Sequence, residues 1–137
     1  MSDQDAEALV RKGYQAFQNG DMETLGSLFA DNIEWRIPKV EGAPYDSNIR
    51  GRQRVMEFFQ QLNETEELLL FEPEDFIASG GKVAVTGRSR MKVRATGRIS
   101  ETQWIHIFTV EDGKVTRFFE MFDTAEAQRA FQKAASA

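Results

Sequence analysis

His106, the sole histidine of the chain, stands in "WIHIF", with Trp104 and Phe108 two residues to either side. Glu120 follows in "FFEMF", an equally apolar strand-like segment. An imidazole or a carboxylate in such surroundings costs stability unless it is satisfied or used. Together they suit general acid–base work. Glu120 would take a proton from carbon or oxygen and return it, and His106 would hydrogen-bond an oxygen that gains negative charge. The same pair can also serve as a packed polar contact with no chemistry. The chain has no cysteine, so thiolate catalysis, disulfides and cysteine-based zinc sites are excluded. One histidine leaves little for a transition metal, and no cofactor is expected.

Whether the two side chains meet depends on the hairpin "VEDGKV". A three-residue loop Glu111-Asp112-Gly113, a type I turn with glycine in the left-handed position, pairs His106 with Phe118. Glu120 is then a diagonal neighbour of His106 on one face, at roughly 7–8 Å between backbone positions. A two-residue Asp112-Gly113 loop pairs His106 with Phe119 and sends Glu120 to the opposite face. We expect the three-residue loop, because it keeps Trp104, His106, Phe108, Phe118, Glu120 and Phe122 together.

Other side chains are candidates for the same site. Tyr14 and Trp35 are either core or ligand contacts, and a tyrosine hydroxyl inside an aromatic cavity is a useful donor. Arg88, with Arg90 two residues on, either binds an anionic group or lies exposed on its strand. Asp123 precedes "TAEA" and either contacts a ligand at the rim or caps the last helix, with Glu126 reaching back as in a capping box.

These residues need elements to hold them. From Asp3 to Asn19, Ala6, Leu9, Val10, Gly13, Tyr14 and Phe17 follow helical spacing, and Asn19-Gly20 ends the helix. Asp21 caps a second, short helix carrying Leu25, Leu28 and Phe29, and "IEWRIP" reads as a strand closed by Pro38. Residues 39–51 read as a loop of the kind that forms a lid or rim. Val55, Phe58, Phe59 and Leu62 mark a third helix. Four meandering strands follow, the first with Pro73, which implies an edge or a bulge, and a last helix covers about residues 124–135. The order gives an α+β fold in one domain spanning 1–137. Ile105, Ile107, Phe119 and Met121 form a second apolar stripe on the other side of the last two strands, and a homodimer through the sheet is the expected cover.

With 137 residues, a net charge of −5 and 11 phenylalanines, the composition is globular and acidic. Nucleic acid and anionic membranes select basic surfaces and are not expected partners. The N-terminus has no signal-like pattern and no run is long enough to span a membrane, so a cytoplasmic location is expected.

Three stretches, "AFQNGDMETLGSLFADNIEWRIP", "EGAPYDSNIRGRQRVMEFFQQL" and "WIHIFTVEDGKVTRFFEMFDTAEAQRAF", resemble in order and spacing the nuclear transport factor 2-like superfamily, within it the SnoaL-like group related to ketosteroid isomerases. The resemblance covers nearly the whole chain. It implies a cone-shaped α+β barrel, with a strongly curved, mostly antiparallel sheet and helices packed on its concave face around a deep apolar pocket. In ketosteroid isomerases the base is an aspartate just before the proline that ends the first strand. Here Ile37 holds that place, so steroid isomerase activity is not implied. Polyketide cyclases of the SnoaL type pair a histidine on the penultimate strand with an acid on the last, and His106 and Glu120 fit those positions. Limonene epoxide hydrolases need an aspartate–arginine–aspartate set, which the strand from Lys82 to Ala95 lacks. The expectation is therefore an acid/base enzyme, an isomerase, cyclase or related lyase. It would act on a small, apolar carbonyl compound held among Tyr14, Trp35, Ile37, Phe59, Arg88, Trp104, Phe108, Phe118, Phe122 and Asp123. The alternatives are a non-catalytic module that binds a hydrophobic ligand and a dimerisation or interaction domain.

Overall fold

The structure is a computed structural model, described here for residues 2–133. Its elements run α1 (Asp3–Gln18), α2 (Met22–Ser27), β1 (Phe29–Arg36), β2 (Asn48–Arg50), α3 (Arg52–Thr65), β3 (Glu66–Ser79), β4 (Lys82–Val93), β5 (Ile99–Glu111), β6 (Lys114–Phe122) and α4 (Thr124–Phe131). The expected extension of the last helix through residue 133 is not formed, since Gln132 is already extended. Residues 134 and 135 lie outside the described part.

Local chemistry sets the helix starts. Ser2 and Asp5 form a capping box that begins α1, and the Asp21 carboxylate accepts the Thr24 amide at α2. Asp123 caps α4 by accepting the Glu126 amide at 3.1 Å. The second half of that expected capping box is absent, because Glu126 turns instead to Arg129 and to the buried Ser100 hydroxyl.

The six strands form one curved sheet in the order β2-β1-β6-β5-β4-β3. All neighbours are antiparallel except β1 and β6, which run parallel. The segment read as one loop over 39–51 contains β2, which pairs with β1 through Ile49 opposite Trp35 and is too short to carry an alternating signal. Phe29, assigned from sequence to α2, opens β1 instead.

β3 is an edge strand with register shifts near Leu68 and at Pro73, as the proline implied. Opposite Pro73 sits Gly87, where a Cβ would lie 2.3 Å from the Trp104 ring. The backbone there is bare so that the indole can lie across it.

α1 and α3 cover the concave side. Ala6, Val10, Tyr14, Val55 and Phe58 meet Ile33, Trp35, Val83, Val85, Phe108 and Phe118 in a single core. No described helix is long and apolar enough to cross a membrane.

Candidate functional site

The hairpin joining β5 to β6 decides what His106 faces. Its loop has two residues, Asp112 and Gly113, both in the left-handed region at φ 51° and 76°, with Glu111 opposite Lys114. A two-residue loop in regular register would have placed Glu120 on the outer face. It does not, because Thr116 is an extra residue: Val110 pairs with Val115, but Thr109 pairs with Arg117. This bulge shifts the remainder of β6 by one place, and His106 stands directly opposite Glu120. The expected three-residue loop is thus corrected, while the shared face holds. The pairing is also closer than the expected diagonal.

Three polar groups form a chain through the aromatic interior. The Tyr14 hydroxyl lies 2.7 Å from His106 Nδ1, and His106 Nε2 lies 2.8 Å from Glu120 Oε2. Burial, aided by the negative charge of Glu120, pushes the Tyr14 hydroxyl well above the usual tyrosine range. It therefore keeps its proton and donates to Nδ1, which leaves Nε2 as the N–H that donates to Glu120. Both imidazole nitrogens are occupied. The His106 N–H that the sequence offered to a substrate oxygen is engaged by Glu120 in this arrangement.

Aromatic rings fix the imidazole. Trp104 stacks on it at 3.9 Å between centroids and Phe118 meets it edge-on at 4.7 Å. The Trp104 indole is itself tied by a 2.6 Å hydrogen bond from Nε1 to Ser89. Trp35 lies flat on Phe118 at 3.8 Å, and its Nε1–H is buried with no oxygen or nitrogen partner. The ring of Phe59 stands edge-to-face beside it at 70°. Ile37 and Phe122 are half-buried against the same cluster.

The aromatic side chains pack closely around the imidazole. Trp35, Trp104, Phe108 and Phe118 spend their surface on one another and on His106, which is 5% exposed. Of two surface depressions of about 780 and 400 Å³, one lies between α2 and α3 and the other is lined by Tyr14, Phe71 and Phe76; neither is lined by His106 or Glu120. Glu120 is the most open of the three groups, its side chain 22% exposed. Its Oε1 has no hydrogen-bond partner among the described residues.

A second carboxyl is also held by a tyrosine hydroxyl. Glu66, at the junction of α3 and β3, accepts a hydrogen bond of 2.5 Å from the Tyr45 hydroxyl. Tyr45 belongs to the segment of residues 37–47 and packs edge-on against Phe58 and Phe131. Burial pushes the Glu66 carboxyl up to about 7; Tyr45 opposes the rise and the charge of Glu120 adds to it. Sequence reading passed over both residues. "NETEELLL" presents Glu66 as one of several acids in a helix end, and only its place at the change from helical to strand spacing sets it apart.

Arg88 does not join the site. It sits on the outer face of β4, exposed and paired with Glu72 at 2.9 Å. Arg90 is exposed on the same side of the strand. Asp123 is exposed and occupied as the cap of α4. Among the described residues no group of three or more histidine or acidic side chains is placed to hold a metal.

A SnoaL-like domain model matches residues 10–118, a span that includes His106 and stops short of Glu120. No curated protein matches the chain in sequence. Among solved structures, a nuclear transport factor 2-like protein of Burkholderia xenovorans is similar over 96% of this chain and 99% of its own, at 32% identity and a TM-score of 0.86. A protein of the same description and unknown function from Burkholderia pseudomallei is similar over 96% and 99%, at 26% identity and a TM-score of 0.84. TerC, co-crystallised with polyporic acid, shares the fold over 93% of this chain and 98% of its own, at 23% identity and a TM-score of 0.80. The curved six-stranded sheet, its helical cover and the match over most of the chain place this protein in the SnoaL-like family of the nuclear transport factor 2-like fold.

Proposed function

We propose that the protein is a cofactor-independent acid/base enzyme, of the isomerase or cyclase kind, acting on a small, largely apolar carbonyl compound. The observation that carries this reading is the oriented chain from Tyr14 through His106 to Glu120. It leaves one carboxylate oxygen free at the most exposed of the three groups. Glu120 abstracts a proton from a carbon beside the carbonyl and returns it elsewhere, with His106 fixing the direction of the free oxygen. The co-crystallisation of TerC with polyporic acid supports a ligand role for this fold, not a particular substrate.

The test is deuterium exchange into methyl ketones of aromatic compounds, followed by NMR. Wild type should exchange the α-protons, and Glu120→Gln should lose at least 100-fold of that rate while remaining folded. An unaltered rate in Glu120→Gln refutes the proposal.

The close aromatic packing around His106 favours one second reading, a purely structural polar chain inside a binding or interaction domain. It is supported if Glu120→Gln leaves exchange at the buffer rate in both proteins but lowers stability. We also propose that the outer sheet face, with Ile105, Phe119 and Met121 exposed next to one another, is covered by a second copy of the chain.

A further inference from the structure

The Glu120 side chain is 22% exposed, so the segments that stand at its end of the sheet control what reaches it. The register names those segments. β1 and β6 run parallel with Arg36 opposite Phe119, which brings Ile37 alongside Glu120, and the chain leaves both strands at that end. From β1 it enters the 37–47 segment, and from β6 it enters α4. The start of β3 lies at the same end, since Phe122 pairs with Trp104, Ile99 with Lys92 and Val93 with Glu66. The loop and α4 meet there. Tyr45 packs edge-on against Phe131, and a Cβ on Gly42 would lie 3.1 Å from that of Phe131.

We propose that residues 37–47 form a hinged lid over the Glu120 end of the sheet, latched by Tyr45 on Glu66 and seated on Phe131, and that its opening admits the ligand. The inference rests on the reading of Glu120 as the ligand-facing group. It is carried by how the segment is attached. Its two ends are tied to each other, with Arg36 opposite Asn48 and the Ile37 amide donating to the Ser47 carbonyl at 3.0 Å. It is therefore a compact loop that can turn about its own base while β1 and β2 stay paired. Between those ends, the only backbone–backbone hydrogen bond among the described residues is internal, from the Ala43 amide to the Val40 carbonyl. Side chains make the remaining attachments. The Tyr45 hydroxyl donates to Glu66 at 2.5 Å, Gln61 donates to the Pro44 carbonyl at 3.4 Å, Arg54 pairs with Asp46 at 3.6 Å on the surface, and Val40 is buried.

Opening such a loop breaks one close hydrogen bond and a few ring contacts but no strand ladder, which is the character of a segment that moves without global unfolding. Tyr45 is also the outer end of a run of rings. It meets Phe58 at 5.4 Å between centroids, Phe58 meets Trp35 at 6.2 Å, Trp35 lies on Phe118, and Phe118 meets His106. Swinging the loop outward lifts Tyr45 from Phe58 and Phe131 and uncovers an apolar rim at the end of the sheet that holds Glu120. Gly42 lets the closed loop sit where it does. At φ 91° and hard against Phe131, its place would strain and crowd any side chain.

The experiment follows binding of 2-acetylnaphthalene by stopped-flow quenching of tryptophan fluorescence. It compares wild type, Tyr45→Phe, Gly42→Ala and the double variant Gly42→Cys with Phe131→Cys, whose thiols have no competitor because the chain has no cysteine. Tyr45→Phe and Gly42→Ala should each raise entry and release together by about tenfold or more, with affinity within about threefold of wild type. A contact that merely lines the site would change release and affinity and leave entry alone. The oxidised double variant should take up the probe at least about tenfold more slowly than the same protein reduced with dithiothreitol. Wild-type entry rates in Tyr45→Phe, with equal rates in the oxidised and reduced pair, overturn the lid. Hydrogen exchange read by mass spectrometry decides the matter without a ligand. Amides from Lys39 to Asp46 should exchange through an opening far easier than global unfolding, and faster still in Tyr45→Phe; exchange there only through global unfolding overturns the lid even if no probe binds. Glu120→Gln separates the two readings. Normal α-deuterium exchange in Glu120→Gln together with gated entry overturns the acid/base reading and leaves the lid, whereas lost exchange with ungated entry removes the lid and leaves Glu120 standing. Far-ultraviolet circular dichroism and thermal melts on each variant separate loss of fold from loss of the latch.

Discussion

At the scale of the residue, the polar groups have separable tasks: Tyr14 holds His106, His106 holds Glu120, and Tyr45 holds Glu66. Replacing Tyr14 by phenylalanine keeps the ring packed between Phe76 and Phe108 but leaves a buried imidazole nitrogen without its donor. We expect a loss of about 1–3 kcal/mol in denaturant unfolding, and a fall in exchange as the imidazole loses its preferred tautomer. Glu66 makes a different mark on stability. Its folded pKa of about 7 stands above the ordinary carboxyl value of 4.5, so the native state binds more protons than the unfolded one between those limits. Stability is therefore greater at the acid end and declines as pH rises from about 4.5 to 7, by no more than about 3 kcal/mol from this group. Glu66→Gln should flatten that decline, as urea unfolding at pH 5 and pH 8 would reveal.

At the scale of the element, a bulge and a bare glycine hold the site in place. Thr116 is the inserted residue that turns Glu120 inward, and its hydroxyl reaches the Thr109 carbonyl and Glu111 across the bulge. Removing Thr116 makes the ladder regular without moving any later residue to another partner. The deletion variant should keep the short His106–Glu120 contact, seen as retained protection and shift of the His106 ring N–H in NMR, and should lose local twist. Gly87 is less forgiving. An added methyl would overlap both the Trp104 ring and the Glu72 carbonyl, at 2.3 and 2.6 Å. Gly87→Ala should cost about 1–3 kcal/mol through overpacking, and should free the indole from its place on His106, read as a change in tryptophan fluorescence together with weaker exchange.

At the scale of the whole molecule, the sheet has two apolar faces and helices for one of them. Ile105 is 48% exposed and Met121 57%, and the two are register partners on adjacent strands. A lone copy would leave this stripe in water. Sedimentation or light scattering should give a dimer for the wild type, and Met121→Glu should shift it toward monomer without disturbing the Tyr14–His106–Glu120 chain on the opposite face. A monomeric wild type at micromolar concentration removes the dimer.

Much of this was legible in the residues. Helical spacing in α1 and α3, the Asp21 and Asp123 caps, the Pro73 irregularity and the resemblance to SnoaL-like proteins all depend on short-range patterns, and each element falls close to its expected place. The common face of His106 and Glu120 was legible as well, but for an incomplete reason: a two-residue turn plus one inserted residue has the same parity as the three-residue loop expected. Alternation along a strand records parity and not where an extra residue sits. Glu66 with Tyr45, the outward turn of Arg88 and the packing of Trp104 and Phe118 against His106 were decided only by the tertiary structure. Each depends on which distant segments are brought together and how far side chains reach across the gap, and no local spacing encodes those distances.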